Sequence, residues 1–262
     1  MKKYFKILGF AFKEQMEYGW NFFLSMFAMV INDFLFVFIF IVFVGYFTGT
    51  GLTVGSFLIM HSIISFQYAI VNGIFSNIGD LPNIVEEGKL DYYLSFPIDA
   101  LKFISVSKIR VHNLGDVIFA ILSMIIYAFW FYQWNVNVFI IKWIIISFIA
   151  LVFAAGLFIM VGSVSFWLQK GSKVRDLFQS FFIIFGSYPP VIFQQKKIIF
   201  ILVALTGLYP GVFLPYRMMT SQTRPIQWII LIGSAVLMFI IGVFVFRRGL
   251  KRYSSGNLVV QM

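Results

Sequence analysis

The 262-residue chain has no cysteine, two histidines and ten acidic residues. Without cysteine there can be no disulfide framework, no thiol nucleophile and no thiolate metal site. The two histidines, His61 and His112, fall in segments expected at opposite sides of the fold, so they cannot meet in one site within a chain. Charged residues make up 11% of the sequence, against about 25% in an average soluble protein. A G-x-x-x-x-G-K-S/T phosphate cradle is missing, because Gly171-Ser172-Lys173 has no upstream glycine partner. H-E-x-x-H, C-x-x-C and G-x-S-x-G are missing too. The few acidic residues are not paired across apolar stretches. These absences argue against a self-contained enzyme, a metal centre or a nucleotide site in this chain.

What is present is apolar surface: 61% hydrophobic residues, 35 of them Phe, and a mean hydropathy of +0.93. The expectation is an all-α integral membrane protein forming one domain over residues 1–262. The net charge of +10 is then an orientation signal at segment ends rather than a sign of a nucleic-acid partner. The N-terminus, residues 1–20, is not read as a cleaved leader, because Lys13, Glu14 and Glu17 interrupt the required apolar core. Over Lys2–Tyr18, the residues Lys2, Lys3, Lys6, Lys13, Glu14 and Glu17 share an arc of about 120° on a helix. Phe5, Leu8, Phe12 and Met16 lie opposite, and Phe10 alone violates the pattern. This predicts an amphipathic helix lying in the membrane interface.

Six spans are predicted, at Phe22–Phe47, Val54–Ser76, Leu114–Trp134, Val138–Leu168, Leu177–Phe193 and Pro225–Phe246. Uncharged loops are expected at Thr48–Thr53 and Gln133–Asn137, and a basic loop at Gln169–Asp176. Asn32, Asp33 and His61 are intramembrane polar residues, expected to face the bundle interior. Pro189 and Pro190 must kink or end the fifth stretch. Ile198–Leu214 is apolar but broken by Gly207, Pro210 and Gly211, with Pro215 just beyond. If this stretch does not cross, fifteen Lys and Arg lie on one side against five on the other; if it crosses, the split is thirteen to seven. The first distribution follows the positive-inside rule more closely. It places both termini in the cytoplasm and makes residues 194–224 an outer or re-entrant segment, which is tolerated where buried in protein.

The longest polar-rich interval is Leu81–Lys102. Within it, Val85-Glu86-Glu87-Gly88-Lys89-Leu90-Asp91-Tyr92-Tyr93-Leu94-Ser95-Phe96-Pro97 resembles the G-x-L-D-x-x-L-x-x-P signature of ABC-2-type permeases, the membrane subunits of bacterial ATP-driven exporters. The DUF990 branch is the nearest likeness. Gly186-Ser187-Tyr188-Pro189, Tyr209-Pro210-Gly211-Val212-Phe213-Leu214-Pro215-Tyr216 and Leu250-Lys251-Arg252-Tyr253-Ser254-Ser255-Gly256 are similar to further elements of that branch, in order along the chain. The resemblance implies a six-helix domain of the type V exporter kind in the bacterial cytoplasmic membrane. It implies an interfacial N-terminal helix, a coupling helix over 81–102 and re-entrant helices between spans five and six. It also implies two separate ABC ATPase subunits that hold the ATP and Mg, with no cofactor on this chain, and a second permease, identical or paralogous, to complete a dimer. Glu86, Glu87, Lys89 and Asp91 would then make charged contacts to the ATPase. Leu90, Tyr92, Tyr93, Leu94 and Phe96 would supply apolar anchors, Gly88 a turn and Pro97 the end of the element. The rival expectation is an ion- or proton-coupled carrier using Asp33, His61 and Asp116. A third is a purely structural subunit of a heteromeric exporter.

Overall fold

The computed structural model describes residues 2–17, 19–44, 53–132, 135–168, 170–194, 198, 201 and 203–254. Gly49 and Gly51 of the expected second-span loop, Gln133 and Trp134, Gln195, Lys196 and Lys197, and the tail from Ser255 onward lie outside them. Among the described residues, all regular structure is helical. Helix α1 spans Lys2–Met16 and α2 spans Trp20–Val44. α3 spans Val54–Ala69 and continues as a π-helical turn, Ile70–Ile74. Four short helices follow: α4 (Ser76–Gly79), α5 (Leu81–Glu86), α6 (Leu90–Leu94) and α7 (Ala100–Val106). α8 is Leu114–Trp130 and α9 is Val136–Ser163. α10 is Gly171–Ser187 and α11 is Val191–Gln194. A second π-helical piece, Ala204–Phe213, runs into α12 (Leu214–Thr220), and α13 is Pro225–Leu250.

Five helices among the described residues are long and apolar enough to cross a membrane: Trp20–Val42, Val54–Ile74, Val111–Trp130, Val136–Phe166 and Pro225–Leu250. The chain is therefore a multi-pass membrane protein. The expected fifth stretch, Leu177–Phe193, is not one continuous helix. α10 begins six residues earlier, at Gly171, so Lys173, Arg175 and Asp176 stand in its first turns and not in a loop. It ends at Ser187 because Tyr188, preceding Pro189, is driven to extended backbone (φ −98°, ψ 133°).

Local sequence sets the helix starts. Thr53 Oγ1 accepts the Ser56 N–H at 3.0 Å to cap α3, and Asn135 Oδ1 accepts the Asn137 N–H at 3.0 Å to cap α9. Pro225 occupies the first turn of α13, where its missing N–H leaves no intrahelical bond unmade. Pro215 does the same for α12. Gly207 takes φ +87° beside Phe153 and Leu157 of α9, a conformation suited to glycine, and it breaks the 204–213 piece.

α3 is the hub. Almost all of its residues are buried, from Gly55 to Ala69. α8, α9, α10 and α12 pack around it. Trp143 Nε1 of α9 donates to Ser62 Oγ at 3.1 Å, and Gln67 Nε2 donates to the Gly211 carbonyl at 2.9 Å. Such interhelical bonds satisfy polar groups in a site without water. The 204–220 stretch buries Leu208, Val212, Leu214 and Met218 against this hub and α9. α2 and α13, by contrast, show most of their surface.

α13 lies against α9 with backbone touching backbone. A Cβ on Gly156 would strike the main chain of Met238 and Phe239, and one on Gly242 would strike Gly156. Small residues allow this approach. Gly156→Leu is expected to force the helices apart and to lower stability by about 1–3 kcal/mol. Thermal unfolding in detergent checks this against Gly233→Leu, whose site is open and whose midpoint stays unchanged.

Candidate functional site

The polar segment between α3 and α8 is held by one carboxylate. Asp80 follows α4 directly, and its side chain is nearly buried. Arg110 makes an ion pair to Asp80 Oδ2; Lys108 Nζ lies 3.8 Å from the same oxygen and Arg175 Nη1 lies 3.5 Å from Oδ1. Arg175 also donates to the Gly79 carbonyl, and its Nε lies 2.8 Å from Asp176. One acidic group thus joins the end of α3, the start of α8 and the first turns of α10.

Uncharged bonds extend the joint. The Arg110 N–H donates to Gly73 O at 2.9 Å and Ser76 Oγ donates to Lys108 O at 2.9 Å. Asn72 sits in the π-helical turn; its Oδ1 accepts from Gln179 Nε2 at 3.1 Å. Glu86 accepts the Ser172 N–H at 2.6 Å and the Ser172 hydroxyl at 2.8 Å. It therefore places a negative charge at the N-terminus of α10, where the helix dipole favours one. Ser172, Arg175 and Gln179 share one face of α10 by their spacing. All three bond to the segment that runs from Asn72 to Glu86.

Beyond Glu86 the chain turns at Gly88 (φ +70°). The expected coupling helix is therefore divided into α5 and α6. Leu81, Pro82 and Ile84 bury α5 against α9 and α10, and Leu90 is fully buried. Tyr93 is half-buried; its hydroxyl accepts from Asn77 Nδ2 at 3.0 Å and its ring meets Phe103 at 5.3 Å. Tyr92, Leu94 and Phe96 are exposed to 59%, 41% and 40%. Their rings are braced: Tyr92 to Phe96 at 5.2 Å, and Phe96 to Phe103 of α7 at 5.1 Å. Pro97 is exposed in the bend before Asp99, whose Oδ1 accepts the Lys102 N–H and caps α7. Glu87 and Lys89 pair at 2.5 Å on the surface beside this ridge. Asp91 lies at Tyr253, beyond α13; burial first, and then the Asp91 charge, push the Tyr253 hydroxyl up to about 12. Val85, Glu86, Ser165, Phe166, Arg252 and Tyr253 line a cavity of about 310 Å³ at this joint.

α1 reaches the same end. Its Ala11 is buried with Ile109 and Val111, and the helix packs on α7. Leu8 joins that contact, while Phe5, Phe12 and Met16 stay exposed, so the apolar side divides into a protein-facing and an outward-facing half. Lys2, Lys6, Lys13 and Glu17 are exposed.

Inside the bundle, Asp33 of α2 and His61 of α3 approach to 3.7 Å, with Asp116 of α8 in electrostatic reach of Asp33. Asn32 instead faces outward. Pro189, Pro190, Pro210 and Pro215 break or start helices and carry no polar chemistry. The residues that sequence reasoning did not single out are Arg175, Ser172 and Gln179, because their stretch reads as a loop until α10 is seen to begin at Gly171.

A family model described as an ABC-2 family transporter protein matches residues 26–256. No curated protein and no solved structure matches the chain.

Asp80→Asn leaves Arg110 without its counter-charge and Arg175 with Asp176 as its acidic partner. A stability loss of about 3 kcal/mol is expected, whereas Lys108→Ala, whose side chain is half exposed, changes it by less than about 1 kcal/mol. Denaturant titration of the purified protein in micelles measures both.

Proposed function

The chain belongs to the ABC-2 family of transporter proteins, and from that membership we propose that it is the permease subunit of an ATP-driven exporter, worked through the ridge Tyr92, Leu94 and Phe96. ATP, with its Mg, is bound and hydrolysed by two separate ABC ATPase subunits. A second permease, a copy or a paralogue, completes the pathway. The chain resides in the bacterial cytoplasmic membrane with both termini in the cytoplasm. α10 and α11 form the sixth crossing, and the 204–220 stretch is re-entrant. The substrate is hydrophobic or amphipathic, in keeping with an apolar, aromatic bundle.

The observation that carries this reading is an exposed aromatic ridge on a rigid mount. Aromatic residues are favoured at the centres of protein interfaces. Two such side chains, Tyr92 and Phe96, are exposed together with Leu94 on α6 and the bend after it, while Leu90 anchors the same segment in the core. Motion imposed on α6 passes to α7 by ring packing, and from α7 to α1 and α4. From α5, Glu86 carries it into α10, and the Asp80 ion pairs join the ends of α3, α8 and α10. A ridge tied in this way moves the bundle instead of bending by itself.

A second reading, an ion- or proton-coupled carrier, draws on the approach of Asp33 to His61. It requires transport driven by a proton gradient in vesicles that lack any ATPase.

Tyr92→Asp and Leu94→Asp are expected to abolish co-purification with the ATPase and its stimulation. The thermal midpoint of the permease stays within a few degrees of the parent, because both side chains are exposed. Retained co-purification with full stimulation would contradict the docking role.

A further inference from the structure

Helix α1 has three faces. Leu8 and Ala11 turn one of them toward Ile109, Val111 and Leu114. At about 100° per residue, Phe5, Phe12 and Met16 form a stripe about 40° wide beside that contact, and Lys2, Lys6 and Lys13 fill the next arc of about 40°. The stripe is exposed, and so are these lysines. Among the described residues, none of Lys2, Lys6 and Lys13 is in an ion pair. Lys3 differs, with its Nζ over the Tyr4 ring at 5.4 Å. Glu14 lies further round the helix than the lysine row, and Glu17 follows the helix end. An apolar stripe bordered by cations suits the headgroup boundary, where the lysine stems lie along hydrocarbon and the ammonium groups reach the phosphates.

α2 continues that surface into the membrane. The chain turns between the two helices at Gly19 (φ +54°). Ring contacts then run from Phe12 to Phe22 at 6.0 Å, from Phe22 to Phe23 at 5.2 Å and from Phe23 to Trp20 at 6.3 Å. Trp20, Phe23, Phe27 and Val30 share a face of α2 by their spacing. With Met26, and with Ile118 of α8, they line an apolar groove of about 480 Å³. Met26 also belongs to the cluster that seats α1, so the groove begins where α1 is anchored. From Trp20 to Val30 it rises about 15 Å along the helix, half of the roughly 30 Å hydrocarbon core. That is the depth of one leaflet. Trp20 is 82% exposed at the α1 end, as an aromatic side chain at the hydrocarbon–headgroup boundary should be.

We propose that α1 and this groove together bind one anionic phospholipid. An acyl chain lies along Phe23, Phe27 and Val30, and the phosphate headgroup meets Lys6 and Lys13. Phosphatidylcholine carries its own cation beside the phosphate and leaves the lysines partly uncompensated. A headgroup with net negative charge pairs with them. Charge also decides between a lipid and a second copy of the chain as occupant. A copy with the same net charge of +10 brings further cations, whereas an anionic lipid neutralises those already present. The site needs no ATPase, so it stands independently of the exporter reading.

The test uses the full chain in detergent micelles, titrated with phosphatidylglycerol or with phosphatidylcholine of the same acyl chains. Native mass spectrometry counts the lipids bound. The parent is expected to retain one phosphatidylglycerol and to prefer it to phosphatidylcholine. Lys6→Gln combined with Lys13→Gln is expected to weaken phosphatidylglycerol binding about thirtyfold, about fivefold for each lysine, and to leave phosphatidylcholine binding as it was. Ile118→Trp, at an exposed position of α8, narrows the groove and is expected to weaken both lipids. Arg247→Gln with Arg248→Gln, exposed near the end of α13, controls for unspecific attraction and is expected to keep the parent's preference. Equal affinity of the parent for the two lipids overturns the proposal, and that comparison stands even if a variant does not fold. Unchanged lipid binding in Ile118→Trp, or an equal loss in the α13 control, overturns it too. A parent dimer that Ile118→Trp dissociates without altering the lipid count would assign the groove to a second copy instead.

Discussion

One buried carboxylate determines how the polar segment relates to the helices around it. Asp80 faces Lys108 and Arg110 from the connection that leads into α8, and Arg175 from the first turns of α10. A pair like this is weak evidence for stability as such, because both partners lose hydration. Its stronger effect is on register. A helix end that must present a guanidinium to Asp80 cannot slide or rotate far without leaving a buried charge unpaired. Asn72 to Gln179 and Glu86 to Ser172 repeat the constraint on the same face of α10. The short helices α4 to α7, which have too few residues to be stable by themselves, are ordered by this joint and by the rings of Tyr93, Phe96 and Phe103.

The membrane part is arranged by the same logic with different chemistry. Lipid offers helices no hydrophobic drive to associate, so close packing and a few polar bonds hold them. α3 receives both, through Trp143 to Ser62 and Gln67 to the Gly211 carbonyl, and is buried on all sides. α9 and α13 meet through Gly156 and Gly242. α2 and α13 keep long apolar surfaces, including Phe38 and Leu237, turned away from the bundle. The break at Tyr188-Pro189-Pro190 ends α10, and the stretch 207–215, with its glycine and proline residues, packs on α9 and is largely buried.

Much of this was legible from residue type. Long apolar runs such as Val136–Phe166 declare themselves, and so does the polar interval after Ile74, because few alternatives exist for either composition. Gly88 and Pro97 mark a turn and a bend in any context. The start of α10 was not legible, because Lys170, Lys173, Arg175 and Asp176 resemble a solvated loop until the partners of Arg175 are known. The counter-charge for Arg175 is Asp80, nearly a hundred residues away in sequence, and only folding brings it near. The exposed ridge was blurred for a related reason. Leu90, Tyr92, Leu94 and Phe96 are equally apolar on paper, and burial alone distinguishes the anchor Leu90 from the three that face outward. Asp33, Asp116 and His61 were visible as polar residues in apolar runs, but periodicity could not show that they converge while Asn32 turns away.

The central claim is that the Tyr92–Phe96 ridge is where the ATP-hydrolysing partner takes hold of the membrane domain. The most direct measurement places a photo-reactive amino acid singly at positions 90, 92, 94 and 96 of the full chain, co-expressed with its ATPase in intact cells. The account predicts a light-dependent adduct with the ATPase from positions 92, 94 and 96 and none from buried position 90. Adducts with lipid or with the chain itself at 92, 94 and 96, and none with the ATPase, would contradict it.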